Sequence, residues 1–97
     1  MESVINHVAI LVESIEDILS KKYFPDNIVG PIEDFEETHE CYIGGENQMG
    51  RLLLMQAKSE GTYRKALEKR GPGLHHIALD VINLEKYIEQ ILSLIHI

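Results

Sequence analysis

Residues 71–81 read GPGLHHIALDV, a stretch in which a helix-ending turn leads directly into an apolar run. A proline between two glycines ends whatever helix precedes it, and the β-branched, apolar residues that follow predict a strand. That strand begins with His75 and His76. The sequence therefore places a pair of imidazole rings at the start of a buried strand.

The same pattern occurs once before, 69 residues earlier in the chain. Residues 6–12 read NHVAILV and align without gaps with HHIALDV at residues 75–81, so that His7 falls on His76. A repeat of long period is typical of two copies of one supersecondary unit. We expect the two copies to face each other, each contributing one histidine.

Length and charge limit the classes of function. The chain has 97 residues, and a domain of this size buries only roughly 60 to 65% of its unfolded surface, so we expect a homodimer. The net charge of -7, from 16 acidic and 9 basic residues, repels phosphate backbones and argues against a nucleic-acid partner. The sequence has no run of about 18 apolar residues to span a membrane. It also has no signal-peptide pattern, and the single Cys41 fits a reducing compartment, so we expect a cytoplasmic protein.

Hydrophobic periodicity and turn residues predict the order of the elements. The order is strand, helix, three strands, linking helix, strand and helix, at residues 4–12, 15–21, 28–32, 39–43, 51–57, 62–70, 74–81 and 84–91. The second copy of the repeat stops after its helix, which indicates a truncated chain. Residues 92–97, LSLIHI, match the translation of a common sequencing adapter, so we expect a non-native tail and give His96 no role.

Strand alternation assigns the histidines to faces of the predicted sheet. His7 lies on the face that also carries Ala9, and His76 lies on the equivalent face of its own strand, so the two imidazoles converge if the units pair. Two neutral imidazoles form half of a site for zinc, cobalt, nickel, manganese or iron. The alternative is a pair of hydrogen-bonded core histidines. Alternation turns His75 to the opposite face, in a structural role, and leaves His39 unassigned.

The segment LEKRGPGLHHIA at residues 67–78 closely resembles the one that closes the first module of methylmalonyl-CoA epimerases. These enzymes belong to the vicinal oxygen chelate superfamily, together with glyoxalase I, extradiol dioxygenases and bleomycin- and fosfomycin-resistance proteins. The resemblance covers residues 5–91. It implies an α+β fold in which paired βαβββ modules form a half-open barrel around a divalent metal, with His7 and His76 as metal ligands.

The resemblance also implies domain boundaries. Residues 1–91 form a single truncated domain, in which residues 1–57 are the first module. Residues 58–73 form the linking helix, and residues 74–91 are the first strand and helix of an incomplete second module.

The chain departs from the family pattern at two metal-ligand positions. Counting back without gaps from His76, the position where the family carries Glu or Gln is Leu52, which cannot bind metal. The last ligand, a glutamate, would lie beyond residue 97. A glutamate that acts as a base in the epimerases corresponds to Glu36 or Glu37, although an acidic, solvated loop is the simpler interpretation of both.

The function implied by the resemblance is a metal-dependent isomerase or lyase that stabilises an enolate of a small-molecule substrate such as a CoA thioester. Three alternatives remain open: a lactoylglutathione lyase-like enzyme, a non-catalytic small-molecule-binding protein of the same fold, and an extradiol-type dioxygenase. We expect the 97 residues alone to be catalytically inactive.

Overall fold

A computed structural model describes residues 3–45 and 48–95, which form one mixed sheet with helices on both of its faces. The last residues of the predicted tail, including His96, lie outside these ranges. The elements are β1 (Ser3–Val12), α1 (Ile15–Ser20), a 3-10 turn (Asp26–Ile28), β2 (Val29–Asp34), β3 (Thr38–Ile43), β4 (Arg51–Ala57), α2 (Thr62–Arg70), β5 (Gly73–Val81) and α3 (Leu84–Ile95).

The five strands lie in the order β2-β3-β4-β1-β5. Strand β1 runs parallel to β4 and antiparallel to β5, which places the two histidine-bearing strands side by side. Elements β1 to β4 form one βαβββ module, and β5 with α3 begins a second, so the predicted α+β fold is confirmed. Strand β2, which contains Pro31, lies at the edge of the sheet. Proline has no backbone N–H, and at a sheet edge this need not cost a hydrogen bond to a neighbouring strand.

Helix α1 packs on one face of the sheet, which we call the α1 face. Its six residues are too few for a stable isolated helix, so packing must hold it. The Ser14 side chain caps its first turn by accepting from the Asp17 N–H at 3.1 Å, as the sequence predicted. Buried residues on this face come from β1, α1, β3 and β4: Val12, Ile15, Cys41, Ile43 and Leu54.

Helix α2 covers one end of the opposite face, which we call the histidine face. The buried cluster there comprises Ala9, Leu11, Leu53, Met55, Ala57 and Leu67. Its members on β1 and β4 are neighbours in the parallel pairing, where Ala9 opposes Leu53 and Leu11 opposes Met55. Small and large side chains thus alternate across the pair, and the sheet remains open toward the end that carries His7.

Two bulges interrupt the pairing of β1 with β5. Ile5 pairs with Leu79 and His7 with Ala78, which leaves Asn6 without a partner. Further along, Ala9 pairs with His76 and Ile10 with Leu74, which leaves His75 without one. An extra residue in one strand disturbs the alternation of its side chains. The simple assignment of faces therefore fails at both positions.

Strand β5, helix α3 and the connection between them expose many apolar side chains: Leu74, Ile77, Leu79, Ile82, Leu84, Ile88 and Leu92. An apolar surface of this kind is typical of contact with further protein. The homodimer, the domain boundaries and the non-native tail stay predictions. Among the described residues, no helix is both long and apolar enough to cross a membrane.

The buried thiol of Cys41 provides a test of this core. Its side chain is 0% exposed, and its Sγ donates to the Gly30 carbonyl at 3.3 Å. Burial, followed by the nearby charge of Glu33, raises the pKa of the thiol. Because only the thiolate reacts, iodoacetamide should label folded Cys41 at least about a hundredfold more slowly than the denatured chain, as measured by mass spectrometry. Equal rates would contradict this packing.

Candidate metal centre

The structure brings His7 and His76 together on the histidine face. Their Nε2 atoms lie 3.2 Å apart, and the rings meet edge to face with centroids 5.4 Å apart. Two nitrogens that each lie about 2.1 Å from one metal, at an angle of roughly 100°, are about 3.2 Å apart. The observed separation therefore fits two neighbouring ligands of a single ion.

Asn6 fixes the tautomer of His7. Its Oδ1 accepts a hydrogen bond from His7 Nδ1 at 2.7 Å, and its Nδ2 donates to Asp80 Oδ2 at 2.9 Å. An ionised carboxylate only accepts, so the amide nitrogen must face Asp80 and the amide oxygen must face His7. The proton of His7 therefore lies on Nδ1, and the Nε2 lone pair points to His76. Metal-binding histidines are commonly oriented in this way by a partner on the other nitrogen.

His75 supports His76, which corrects the prediction that it faces away. The Nδ1 atoms of the two rings lie 2.8 Å apart, and the His75 ring also contacts the Tyr63 ring of α2, with centroids 5.1 Å apart. The reason is the bulge, which leaves His75 out of the strand pairing. When His76 Nδ1 donates to His75, the Nε2 of His76 is free to bind a metal.

The environment favours the neutral forms of His7 and His75. Burial, followed by the charges of His76 and Arg51, lowers the pKa of His7, while Glu40 and Asp80 act in the opposite direction. Burial, His76 and Arg70 likewise lower the pKa of His75. A neutral imidazole is the form that binds a metal ion. His7 is therefore ready to act as a ligand at neutral pH.

The third ligand position predicted at Leu52 is wrong. Leu52 packs against the α1-face cluster, on the side of the sheet away from the histidines. The residue of β4 that pairs with His7 is Arg51, and the next one on the same face, Leu53, is buried under α2. Among the described residues, no group of three or more His, Cys, Asp or Glu side chains is arranged to hold a metal. The described part of the chain thus presents two imidazoles.

Arg51 and Tyr42 line the site beside His7, and neither was expected there from the sequence. The guanidinium carbon of Arg51 lies 4.0 Å from the centroid of the Tyr42 ring, and that ring meets His7 edge to face at 5.6 Å. Gly44 makes room for the arginine, since a Cβ built there would lie 2.6 Å from Arg51 Cγ, at a backbone φ of +129°. The local sequence signal for this arrangement is Gly44, because the faces of Tyr42 and Arg51 are set by pairing between strands that are distant in sequence.

The predicted bases lie apart from the histidine contacts. Glu36 is exposed in the connection between β2 and β3. Glu37 Oε1 accepts from the backbone N–H of Thr62 at 2.9 Å and from its hydroxyl at 3.3 Å, so it caps the first turn of α2. A catalytic role for either glutamate stays a prediction. The unassigned His39 pairs with Asp34 at 3.1 Å on the β2–β3 edge.

Comparison with known proteins identifies the fold. No protein-family model and no curated protein matches the sequence. Solved structures do match, among them the following three. A hypothetical protein from Bacillus halodurans C-125 has a TM-score of 0.72 and 24% identity over 96% of this chain and 69% of its own. Methylmalonyl-CoA epimerase from Mycobacterium tuberculosis has a TM-score of 0.66 and 21% identity over 93% of this chain and 63% of its own. The Streptomyces coelicolor methylmalonyl-CoA epimerase in complex with 2-nitronate-propionyl-CoA has a TM-score of 0.67 and 18% identity over 93% of this chain and 70% of its own.

An open α+β sheet built from a βαβββ module, with paired histidines on the adjacent strands β1 and β5, defines the class of the fold. The chain has the fold of the methylmalonyl-CoA epimerases, which is the vicinal oxygen chelate fold. It spans between 63% and 70% of the length of these structures. At 24% identity or less, the likeness establishes the fold alone.

Exchanging Arg51 for a carboxylate tests the geometry of the site. Arg51→Glu places an anionic oxygen ligand on the strand position paired with His7, so it should tighten Zn²⁺ binding at least about tenfold in calorimetry. Leu52→Glu carries the same new side chain on the α1 face, so it should lower the melting temperature without tightening zinc. Arg51→Gln controls for loss of the positive charge. Tighter zinc binding in Leu52→Glu would contradict the assignment of faces.

Proposed function

We propose that this chain belongs to a metal-dependent isomerase or lyase that stabilises an enolate of a small acyl substrate. The observation that carries the proposal is the 3.2 Å approach of His7 Nε2 to His76 Nε2, together with the Asn6 contact that leaves the His7 lone pair free. Two imidazoles in this geometry fit a divalent ion: zinc, cobalt, nickel, manganese or iron.

His7 and His76 would hold the ion, and further ligands would come from outside the described residues. Such a metal supplies Lewis-acid stabilisation for an oxyanion on the substrate. The surrounding residues prepare the site. Asn6 and His75 orient the two imidazoles, while the Tyr42 ring packs against His7 and the Tyr63 ring packs against His75.

The proton-transfer group of the proposal is Glu36. Glu37 already accepts two hydrogen bonds from Thr62, which ties it to α2. The exposed Glu36 carboxylate has no such engagement among the described residues, so it is the better of the two candidates to take a proton from the carbon next to a thioester carbonyl.

The substrate class comes from the structural neighbours. The Streptomyces coelicolor epimerase binds 2-nitronate-propionyl-CoA, so we propose a CoA thioester as the substrate here as well. In a parent protein that carries the remaining strands, methylmalonyl-CoA should exchange its α-proton with deuterated solvent. Oxygen uptake with a catechol would instead support a dioxygenase. The homodimer and the cytoplasmic location stay predictions.

A second candidate is a non-catalytic small-molecule-binding protein on the same fold. Arg51, a cation, stands beside His7 where an enzyme of this type needs a further ligand, and the described residues hold no third one. Metal content separates the two candidates. A binder without metal would leave the histidine pair joined by a shared proton.

Removal of either paired histidine should weaken metal binding. His7→Ala and His76→Ala each leave a single imidazole, so Zn²⁺ or Co²⁺ affinity measured by calorimetry on chelator-treated protein should fall at least about tenfold. His39→Ala is the matched control, because His39 pairs with Asp34 away from the site, and its affinity should stay unchanged. Equal losses in all three variants would contradict the proposed centre.

His75 should act through His76 rather than on the metal directly. His75→Ala removes the contact to His76 Nδ1, and the loss of a supporting partner of this kind typically weakens metal binding about 10- to 100-fold. His75→Asn keeps a hydrogen-bonding side chain and should recover part of the loss in the same titration. Unaltered affinity in His75→Ala would show that His75 is only structural.

A further inference from the structure

A pocket of about 240 Å³ lies where α2 ends and β5 begins. Its lining comes from β1, α2, the turn between α2 and β5, and β5 itself: Leu11, Ala66, Arg70, Gly71, Pro72, Gly73, Leu74 and His75. No acidic residue in the described part of the chain lines this pocket, although the whole chain carries a net charge of -7. The pocket therefore combines a local positive charge with room for a small anion.

Arg70 supplies the positive charge. Its guanidinium has neither a salt bridge nor a hydrogen bond with any residue that the structure describes. Burial, followed by the charges of His76 and Arg70, lowers the pKa of His75, so the guanidinium lies close enough to act on that ring. The end of α2 is closed by its backbone, since the Gly71 N–H donates to the Leu67 carbonyl at 2.8 Å. The donors of Arg70 are thus available to a ligand.

A chain of hydrogen bonds from Asp80 to His75 sets which nitrogen of each ring carries a proton. Asn6 donates to Asp80 and accepts from His7 Nδ1. His7 Nε2 therefore presents a lone pair to His76 Nε2, which must donate when no metal is bound. His76 Nδ1 can then only accept, so His75 donates from Nδ1. The Nε2 of His75 is left with a lone pair, and no described residue forms a hydrogen bond with it.

Metal binding reverses the last part of this chain. His76 loses the proton on Nε2 when that nitrogen becomes a ligand, and the proton of His75 Nδ1 moves to His76 Nδ1. His75 takes up a proton at Nε2 in its place. All three rings stay neutral, because one proton leaves at His76 and one is gained at His75. The open nitrogen of His75 thus changes from an acceptor into a donor.

We propose that the pocket beside Arg70 and His75 binds a phosphoryl group, and that it does so when a metal occupies the paired histidines. The proposal rests on the metal centre proposed above and couples a second site to it. The guanidinium fork offers two N–H donors and His75 Nε2 adds a third, which suits the three free oxygens of a phosphate monoester. Without the metal, the lone pair of His75 repels an anionic oxygen. The phosphoryl group belongs either to free phosphate or to a nucleotide-bearing substrate.

The tautomer of His75 is the first measurement. Long-range proton–nitrogen NMR spectra should show its proton on Nδ1 in chelator-treated protein and on Nε2 after addition of Zn²⁺. Inorganic phosphate is then titrated into both samples, and the amide signals of Gly71 and Gly73 report occupancy of the pocket. Zinc should tighten phosphate binding at these signals at least about tenfold, because a donor replaces a repelling lone pair.

Variants in the last turn of α2 separate the pocket from phosphate that is held by zinc itself. Arg70→Leu should weaken the response of Gly71 and Gly73 at least about tenfold while zinc affinity stays unchanged. Arg70→Lys keeps the charge but lacks the fork, so it should show an intermediate loss. Lys69→Leu removes the neighbouring exposed charge and should bind phosphate as the original chain does.

Titration with AMP in place of inorganic phosphate distinguishes the two sources of the phosphoryl group. Tighter binding of AMP that depends on Arg70 would identify the phosphate end of a nucleotide-bearing substrate. Equal or weaker binding of AMP would identify free phosphate as the ligand.

Two outcomes would overturn the pocket. One is a His75 proton that lies on the same nitrogen with and without bound zinc. The other is a phosphate response that is unchanged in folded Arg70→Leu protein. Failure of the metal centre is seen separately, since calorimetry would then detect no zinc binding and the coupling would fall with it. Zinc binding that persists while phosphate leaves Gly71 and Gly73 unperturbed would remove the pocket alone.

Discussion

Two ring nitrogens 3.2 Å apart impose the constraint on which the site depends. If both presented lone pairs, they would repel each other, so the arrangement requires a proton or a cation between them. The partners of the other two ring nitrogens, Asn6 and His75, decide where the protons lie. The contacts of Asn6 and His75 therefore both orient the imidazoles and prepare them for a positive ion. Burial adds to this effect because it disfavours the imidazolium form of His7.

The sequence predicted the approach of His7 to His76 because the repeat placed them at equivalent positions and the apolar runs placed both on strands. The cap of α1 and the module order followed from equally local signals. Alternation misled at His75, however, because a bulge shifts a strand by one residue without changing its hydrophobic pattern. Asn6 was missed for the same reason, although its amide lies next to His7 in sequence as well as in space.

The residue at the third ligand position could not be found by counting along the chain. An ungapped count back from His76 assumes that the linking helix and its flanking turns keep the family's length, and here it gave Leu52, which lies on the α1 face, whereas Arg51 is the residue that pairs with His7. The register of β4 is set by pairing with β1 and β3, which are distant in sequence. Such contacts leave no local signal beyond Gly44, whose missing Cβ accommodates the arginine.

The two bulges have opposite effects on the register between β1 and β5, and this limits which deletions the fold can tolerate. Asn6 adds one residue to β1 and His75 adds one to β5, so the strands are shifted over only the three pairs between them and return to step beyond. Deleting Asn6 or His75 alone would shift every residue pair on one side of the deletion by one residue. The side chains of the shifted strand segment would then point to the other face of the sheet. Single-codon deletions in this stretch should therefore be disruptive, whereas a matched pair of deletions would restore regular pairing and remove both supports of the imidazoles.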